Sequence, residues 1–465
     1  MSERAVSLDE LRPCLEGVIP ATVATCDAHG MPNATFVSQM QYVDAGHVAL
    51  SFQFFNKTRE NILANPQATA ILIDPVTAAS YRLSLLYLRT ETAGPLFQAM
   101  KAKLAGIASH TGMAGVFQLR GADVYAVAGV QRLRGDQRPR APRRHPLLRA
   151  LRQCSERLGG CTDLGQLFDQ AMTLLGQAFG IGHALLLMAD LPARRLYTVA
   201  SRGYGATGVG SEIAFGDGVI GVAAEQRVPI RINHMTVEYR YGTAAREGAA
   251  GAAPLETAIP FPGLSEPHSQ LAVPVTAAGR LLGVLCVESE ADLAFDYDDE
   301  EALLTLASLL AARIAVLPLS SEGGDAGEAA AAGTPPPAAP AAPGATTAPS
   351  APAPLPGPAL EVRHYRAHHT VFVGSEYLIK GVAGAILWKL LQLHSASGRA
   401  DFSNRELRAM TDLGLPDLND NLEARLVLLQ RRLAERCPAI ALERTGRGQL
   451  RLVLGARLQL ADVDG

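Results

Sequence analysis

The sequence predicts a multidomain α+β protein. It has a β-rich N-terminal domain over residues 1–137, an α/β domain over 145–317, and a C-terminal domain of helices and a hairpin over 360–457. Three observations predict this. Residues 18–25 (VIPATVAT), 32–40 (PNATFVSQM) and 47–55 alternate like antiparallel strands around turns such as Asp27-Ala28-His29-Gly30. Residues 146–317 alternate helical spacing with short apolar strands. Residues 318–359, which include GTPPPAAPAAPGATTAPSAPAPLPGP, have almost no aromatic or charged side chains. Such a stretch cannot bury enough apolar area to offset its ordering entropy and reads as a disordered, semi-rigid tether.

Within the first domain, residues 51–66 (SFQFFNKTRENILANP) put Lys57, Thr58, Arg59 and Asn61 on the turn and first helical residues after a strand. A cation beside a hydroxyl and free amides at a helix start makes a phosphate cradle, because fixed donors and the helix dipole both favour negative charge there. A solvated helix start is the plainer reading of the same residues. Another strand, QATAILID, follows at 67–74. Over roughly residues 10–135, with NKTRENILANP as the most specific part, the chain resembles the FMN-binding split β-barrel of the pyridoxamine 5′-phosphate oxidase-like family. The resemblance implies a homodimer with FMN at its interface. Lys57, Thr58 and Arg59, with Asn61 beside them, would hold the phosphate, while residues 35–38 (Thr35, Ser38) and 51–53 (Ser51, Gln53) would line the ring. With no nucleophile or acid/base dyad here, any reaction would be the flavin's own chemistry. The longer arginine motifs of the oxidase proper are missing, so pyridoxamine phosphate oxidation is not expected.

A chain of 465 residues has room for about three domains that each bury a core. Its 42 basic and 45 acidic side chains give no global field favouring nucleic acid or acidic lipid. The six cysteines are scattered with no CxxC pair, which fits reduced thiols better than disulfides or a zinc site. The start, MSERAVSLDELRPC, lacks the apolar core of a signal peptide, and no run of about 18 apolar residues suggests a span. A cytoplasmic protein is expected. The arginine-rich residues 132–145 (RLRGDQRPRAPRRH) read as a basic linker.

In the central domain, apolar residues recur at helical spacing from Leu147 to Leu158 and from Leu164 to Leu175. Strands follow at 183–188 and 196–201, then a glycine-bearing turn into a helix at 214–233. A hairpin at 269–290 (SQLAVPVTAAGRLLGVLCVESE) precedes a closing amphipathic helix at 295–317, with Asp298 to Glu301 in its first turn. Gly216, Gly218 and Gly221 satisfy GxGxxG, yet they lack the buried strand and later acidic residue of a dinucleotide site and read as a turn opening a helix. The order of these phrases resembles a GAF domain, the small-ligand sensor module. The resemblance implies a pocket for an unknown small molecule. His183, His234, His268 and Cys286 are candidate haem, iron or redox contacts beside a plainer structural reading, and 238–266 is the expected lid. Cys286, between Leu285 and Val287, reads as a small hydrophobe.

After the tether come a strand hairpin at 370–379, a helix at 383–393 with the only tryptophan, Trp388, and a helix at 403–410 opened by Ser403 and Glu406 as a capping box. A turn at 414–416 leads to a long helix at 419–436, its inner face Leu422, Leu426, Leu429 and Leu433, and then to two strands at 440–454. This is a winged helix-turn-helix, and it resembles the effector domain of response-regulator transcription factors. DNA binding would place Asn419, Asn421 and Arg425 near base edges, with Arg431, Arg432, Arg444 and Arg447 on phosphates. Asp417, Asp420 and Glu423 would face a phosphate backbone unfavourably, and protein contact is the alternative use of the domain.

The combined reading is a signal- or redox-sensing transcriptional regulator, a homodimer, in which barrel and GAF modules control a tethered DNA-binding domain. The alternative is an FMN-dependent oxidoreductase regulated by its GAF domain, with the C-terminal domain recruiting a partner. A barrel kept only for its interface is a third.

Overall fold

The computed structural model describes residues 6–15, 19–37, 40–52, 57–110, 119–140, 145–233, 259–331, 359–410 and 422–463. In the N-terminal domain, β1 (Ala21–Cys26), β2 (Pro32–Val37), β3 (Met40–Asp44), β4 (His47–Phe52), β5 (Gln67–Ile73), β6 (Ser80–Glu91) and β7 (Gly121–Arg132) form one antiparallel sheet in the order β2-β1-β5-β6-β7-β4-β3. Alternation sets its faces: β5 turns Ala68, Ala70 and Leu72 into the core and the residues between them outward. The β1–β2 turn is tied by the Asp27 carboxylate, which accepts from the N–H groups of His29 and Met31, while Gly30 adopts φ +83°. Those two bonds hold the Asp27 carboxyl below its ordinary pKa. Helices α1 (Lys57–Ala64) and α2 (Pro95–His110) complete the domain. The single strand expected at 32–40 is two strands, and β6 with β7, the longest pair, has no counterpart in the sequence reading.

The central domain comprises α3 (Leu147–Gly159), α4 (Leu164–Phe179), β8 (His183–Asp190), β9 (Arg195–Arg202), β10 (Glu212–Ala214), α5 (Gly218–Gln226), β11 (Ile230–Ile232), β12 (Ser269–Ala277), β13 (Arg280–Ser289) and α6 (Tyr297–Ala331). Its sheet runs β10-β9-β8-β13-β12-β11. One face, with Leu186, Met188, Val273 and Leu285, packs on α3, α4 and α6; the other, with Leu185, Leu187, Val284 and Cys286, packs on α5. Gly216 and Gly218 take φ +82° and +59° in the turn that opens α5, and a Cβ on Gly221 would lie 2.3 Å from the Ala214 carbonyl oxygen. The GxGxxG spacing is therefore the expected turn opening a helix, with a close approach of helix to strand at Gly221.

Helix α6 continues past residue 317 to Ala331, through Pro318, so residues 318–331 are helical where a tether was expected, and residues 332–358 lie outside the described residues. Its segment Tyr297–Pro318 is long and apolar enough to cross a bilayer by length and composition, which the sequence reading missed. Here Leu303, Leu306, Leu310 and Ile314 are buried in the domain core.

In the C-terminal domain, β14 (Leu360–Tyr365), β15 (Thr370–Val373), β16 (Glu376–Ile379) and the final strand β20 (Leu458–Val463) form a sheet ordered β16-β15-β14-β20, with β20 parallel to β14. Asp462 on β20 is held by His364 at 2.9 Å and by Arg366. Helix α7 (Gly381–Ser397) leads to β17 (Asp401–Ser403), α8 (Asn404–Ala409), α9 (Leu422–Arg436), β18 (Ile440–Gly446) and β19 (Gln449–Leu454). The Ser403–Glu406 capping box is present. The turn expected at 414–416 lies outside the described residues.

Among the described residues, the N-terminal and central domains meet at α2 and at Tyr297. Ala102 on α2 is fully buried among Val219, Ile220 and Ala223 of α5. The Tyr297 ring lies between two guanidinium groups, Arg12 at 4.6 Å and Arg231 at 4.2 Å from its centroid. On the opposite face of the central sheet, one continuous apolar core runs from α4 and β9 into α9.

Candidate functional sites

The cradle at α1 is built by two strands and a helix start. Asn33 on β2 donates to Thr58 Oγ1 at 2.8 Å, and Asn61 donates to Thr25 Oγ1 on β1 at 3.1 Å. These bonds seat α1 against the strands. Asn61 is fully buried, and its Oδ1 has no partner among the described residues.

Arg59 departs from expectation. Its guanidinium forms a buried ion pair with Asp123 on β7 and lies 4.6 Å from the Phe52 ring centroid. Thr90 on β6 also donates to Asp123, at 2.5 Å. Arg59 thus braces the sheet from inside instead of facing an anion. Lys57 is half-exposed, with Nζ 3.8 Å from Asp27 and 3.7 Å from Glu60. Thr35 and Ser51 are half-buried on β2 and β4; Ser38 and Gln53 lie outside the described residues. The set fits a phosphate at Lys57 and Thr58 and does not fit one at Arg59.

A second cluster lies on the α5 face of the central sheet. Register aligns His183 (β8), Glu288 (β13) and Gln270 (β12) in one row. Buried Glu288 accepts from Tyr204 Oη at 2.9 Å, Gln270 Nε2 at 2.6 Å and the Leu264 N–H at 3.0 Å. The Tyr204 ring lies 5.4 Å from that of His183. Burial, then the Glu288 charge, pushes both the Tyr204 phenol and the Cys286 thiol up. Cys286, next in from Glu288, is fully buried and packed as a small hydrophobe. His268, half-buried and 3.4 Å from Asp292, lies two residues before Gln270, just ahead of β12, and His234 lies outside the described residues. No group of three His, Cys, Asp or Glu among the described residues is arranged to hold a metal. Sequence reading passed over Glu288 and Tyr204; the signal for Glu288 is a carboxylate two positions after Cys286 in an otherwise apolar strand.

The third constellation is α9. Asn419 and Asn421 lie outside the described residues. Arg425, expected near base edges, and Arg431, expected on phosphates, both face the central domain. Arg425 pairs with Asp190 at 3.0 Å and stacks 5.2 Å from the Tyr197 ring centroid. Arg431 donates to the carbonyls of Val199 (2.7 Å) and Gly165 (3.2 Å) and to Asp169 (2.6 Å). Arg432 is also buried, inside its own domain, donating to the Leu378 carbonyl at 2.8 Å, and burial lowers its pKa. Glu423, expected to meet phosphates, is buried between Asn404 and Arg444, which ties α9 to α8 and β18. Arg447, in the β18–β19 turn, is exposed.

Residues 163–314 match the GAF domain family, and residues 7–111 match the family described as Pyridoxamine 5′-phosphate oxidase. No curated protein matches the chain. Among solved structures, the chain is similar to the GAF domain of an Acinetobacter phosphoenolpyruvate-protein phosphotransferase, at 21% identity over 36% of this chain and 92% of that one (TM-score 0.29). It is similar to free methionine-R-sulfoxide reductase from Neisseria meningitidis, at 22% identity over 37% and 91% (TM-score 0.30). A further likeness is to HupZ of Group A Streptococcus, at 24% identity over 28% and 98% (TM-score 0.23). The chain thus carries a GAF domain behind a domain of the oxidase-like family.

Proposed function

We propose that the chain is a signal- or redox-sensing transcriptional regulator, in which the N-terminal and GAF domains receive a small molecule or flavin state and a winged-helix C-terminal domain carries the output to DNA. The observation that supports this most is the contact of α9 with the GAF sheet, because it puts the output helix in direct contact with the sensor. The GAF ligand would meet the row of His183, Glu288 and Gln270 above an apolar floor that includes Cys286. FMN, when bound, supplies redox chemistry; Lys57 and Thr58 would take its phosphate edge while Arg59 stays with Asp123. A homodimer through the outer sheet face is supported by exposed Phe36, which pairs across from Thr22, with Ile71 one strand further on in the same row. DNA contact would use Arg447 and the residues before α9 first.

The test is the visible absorption spectrum of the full chain purified from riboflavin-supplemented cells, followed by its retention on a pooled random duplex library. Flavin bands lost in Lys57→Ala, with DNA retention weakened by Arg447→Ala, is the expected outcome. A colourless protein that retains no DNA overturns the proposal, and steady NAD(P)H turnover would turn it towards the oxidoreductase reading.

A further inference from the structure

Helix α9 carries two stripes. Leu422, Leu426, Leu429 and Leu433 face its own domain; Ala424, Val427, Leu428, Arg431 and Glu435, at three- and four-residue steps, face the GAF domain. Ala424, Val427 and Leu428 are at most 4% exposed. A Cβ on Gly165 of α4 would lie 3.8 Å from Val427, and one on Gly210 would lie 3.6 Å from Leu428, so both side chains are within van der Waals reach of the GAF surface. The rim is complementary in charge: Arg425 meets Asp190, Arg431 meets Asp169, Lys380 meets Glu212 at 3.2 Å, and Thr207 donates to Glu435 at 2.6 Å.

We infer that the GAF face formed by α4, β9 and the residues 203–212 beyond it is a docking surface for α9, and that docking closes α9 to DNA. One helix face cannot lie in a major groove and against a protein at once. This rests on the DNA-binding reading above. Two of the cations that α9 would bring to DNA, Arg425 and Arg431, hold the dock, so release of the dock and access to DNA become one equilibrium.

The test uses the full chain with Gly165→Cys and Val427→Cys, oxidised and then reduced, beside the wild-type chain treated identically and an Asp190→Arg chain. The probe is the pooled random duplex library. Expected are one intrachain Gly165→Cys to Val427→Cys link, mapped by mass spectrometry, at least ten-fold lower DNA retention by the linked than by the reduced form, and higher retention by Asp190→Arg than by wild type. Failure of the link to form overturns the docking surface. A link that leaves DNA retention unchanged overturns the closure while the DNA reading stands. A link with no DNA retained by any form, Asp190→Arg included, overturns the DNA reading and the closure together and leaves α9 a protein-docking helix.

Discussion

Arg425 on α9 and Asp190 at the end of β8 form an ion pair of 3.0 Å that joins the C-terminal domain to the GAF domain, with Arg425 stacked on Tyr197. Both side chains are largely withdrawn from solvent, at 5% and 18% exposure, so the pair is little screened. Removing one partner leaves the other charge buried without its opposite charge at 3.0 Å. Asp190→Ala is expected to cost about 2–4 kcal/mol of docking stability, and the double change Asp190→Leu/Arg425→Met much less. Urea unfolding of the full chain, followed through Trp388 in α7, checks this; equal costs for single and double changes would show that the pair is not coupled.

What the sequence disclosed and what it hid follow from the range of the interactions. The Ser403–Glu406 capping box, the Asp27 turn and the Gly216–Gly221 turn are set by neighbours a few residues apart, and all were legible. The helix start at Lys57 was legible too, but the inward turn of Arg59 depends on Asp123, 64 residues further on. The parallel pairing of β20 with β14 joins residues about a hundred apart, 98 in the case of His364 and Asp462, and has no local signal. In α9 the second stripe was present in the residues, yet one apolar face satisfied the helical pattern and the arginine-bearing face was assigned to DNA. Arginine among Ala424, Val427 and Leu428 reads as a surface until a second domain is known to cover it.

Gly221 and Gly218 separate close approach from backbone conformation. Gly221→Ala drives a methyl to within 2.3 Å of the Ala214 carbonyl, whereas Gly218 has open space around it and only its φ of +59° to strain. Gly221→Ala is expected to destabilise the GAF domain by about 2–3 kcal/mol and Gly218→Ala by about 1–2 kcal/mol. Chemical denaturation of the two variants decides; the reverse order would mean that α5 does not sit against β10 as described.

Cys154 on α3 gives a pH dependence. Burial pushes its thiol from the ordinary 9.0 up to about 11. A group whose folded pKa is raised contributes stability that is fully present below its unfolded pKa and is lost as pH rises through the folded value. Here the window is pH 9 to 11, and the expected loss is about 2–3 kcal/mol. Comparing urea midpoints of wild type and Cys154→Ala at pH 8 and pH 10.5 checks the sign: the wild type should lose more stability over that interval.

Lys57 and Arg59 sit two residues apart and should behave oppositely. Arg59 is 12% exposed and Asp123 7%, so Arg59→Ala strands a buried carboxylate and is expected to destabilise the N-terminal domain by about 3–5 kcal/mol. Lys57 is 52% exposed and its carboxylate neighbours stand near 4 Å, so Lys57→Ala should change stability by less than about 0.5 kcal/mol. Any anion held at α1 therefore has to be tested through Lys57, because loss of flavin absorbance in Arg59→Ala would report a damaged fold as readily as a lost contact. The decisive comparison is flavin content per folded chain: lower in Lys57→Ala with an unchanged unfolding midpoint assigns the anion to α1, while unchanged flavin content in a stable Lys57→Ala chain removes it from there.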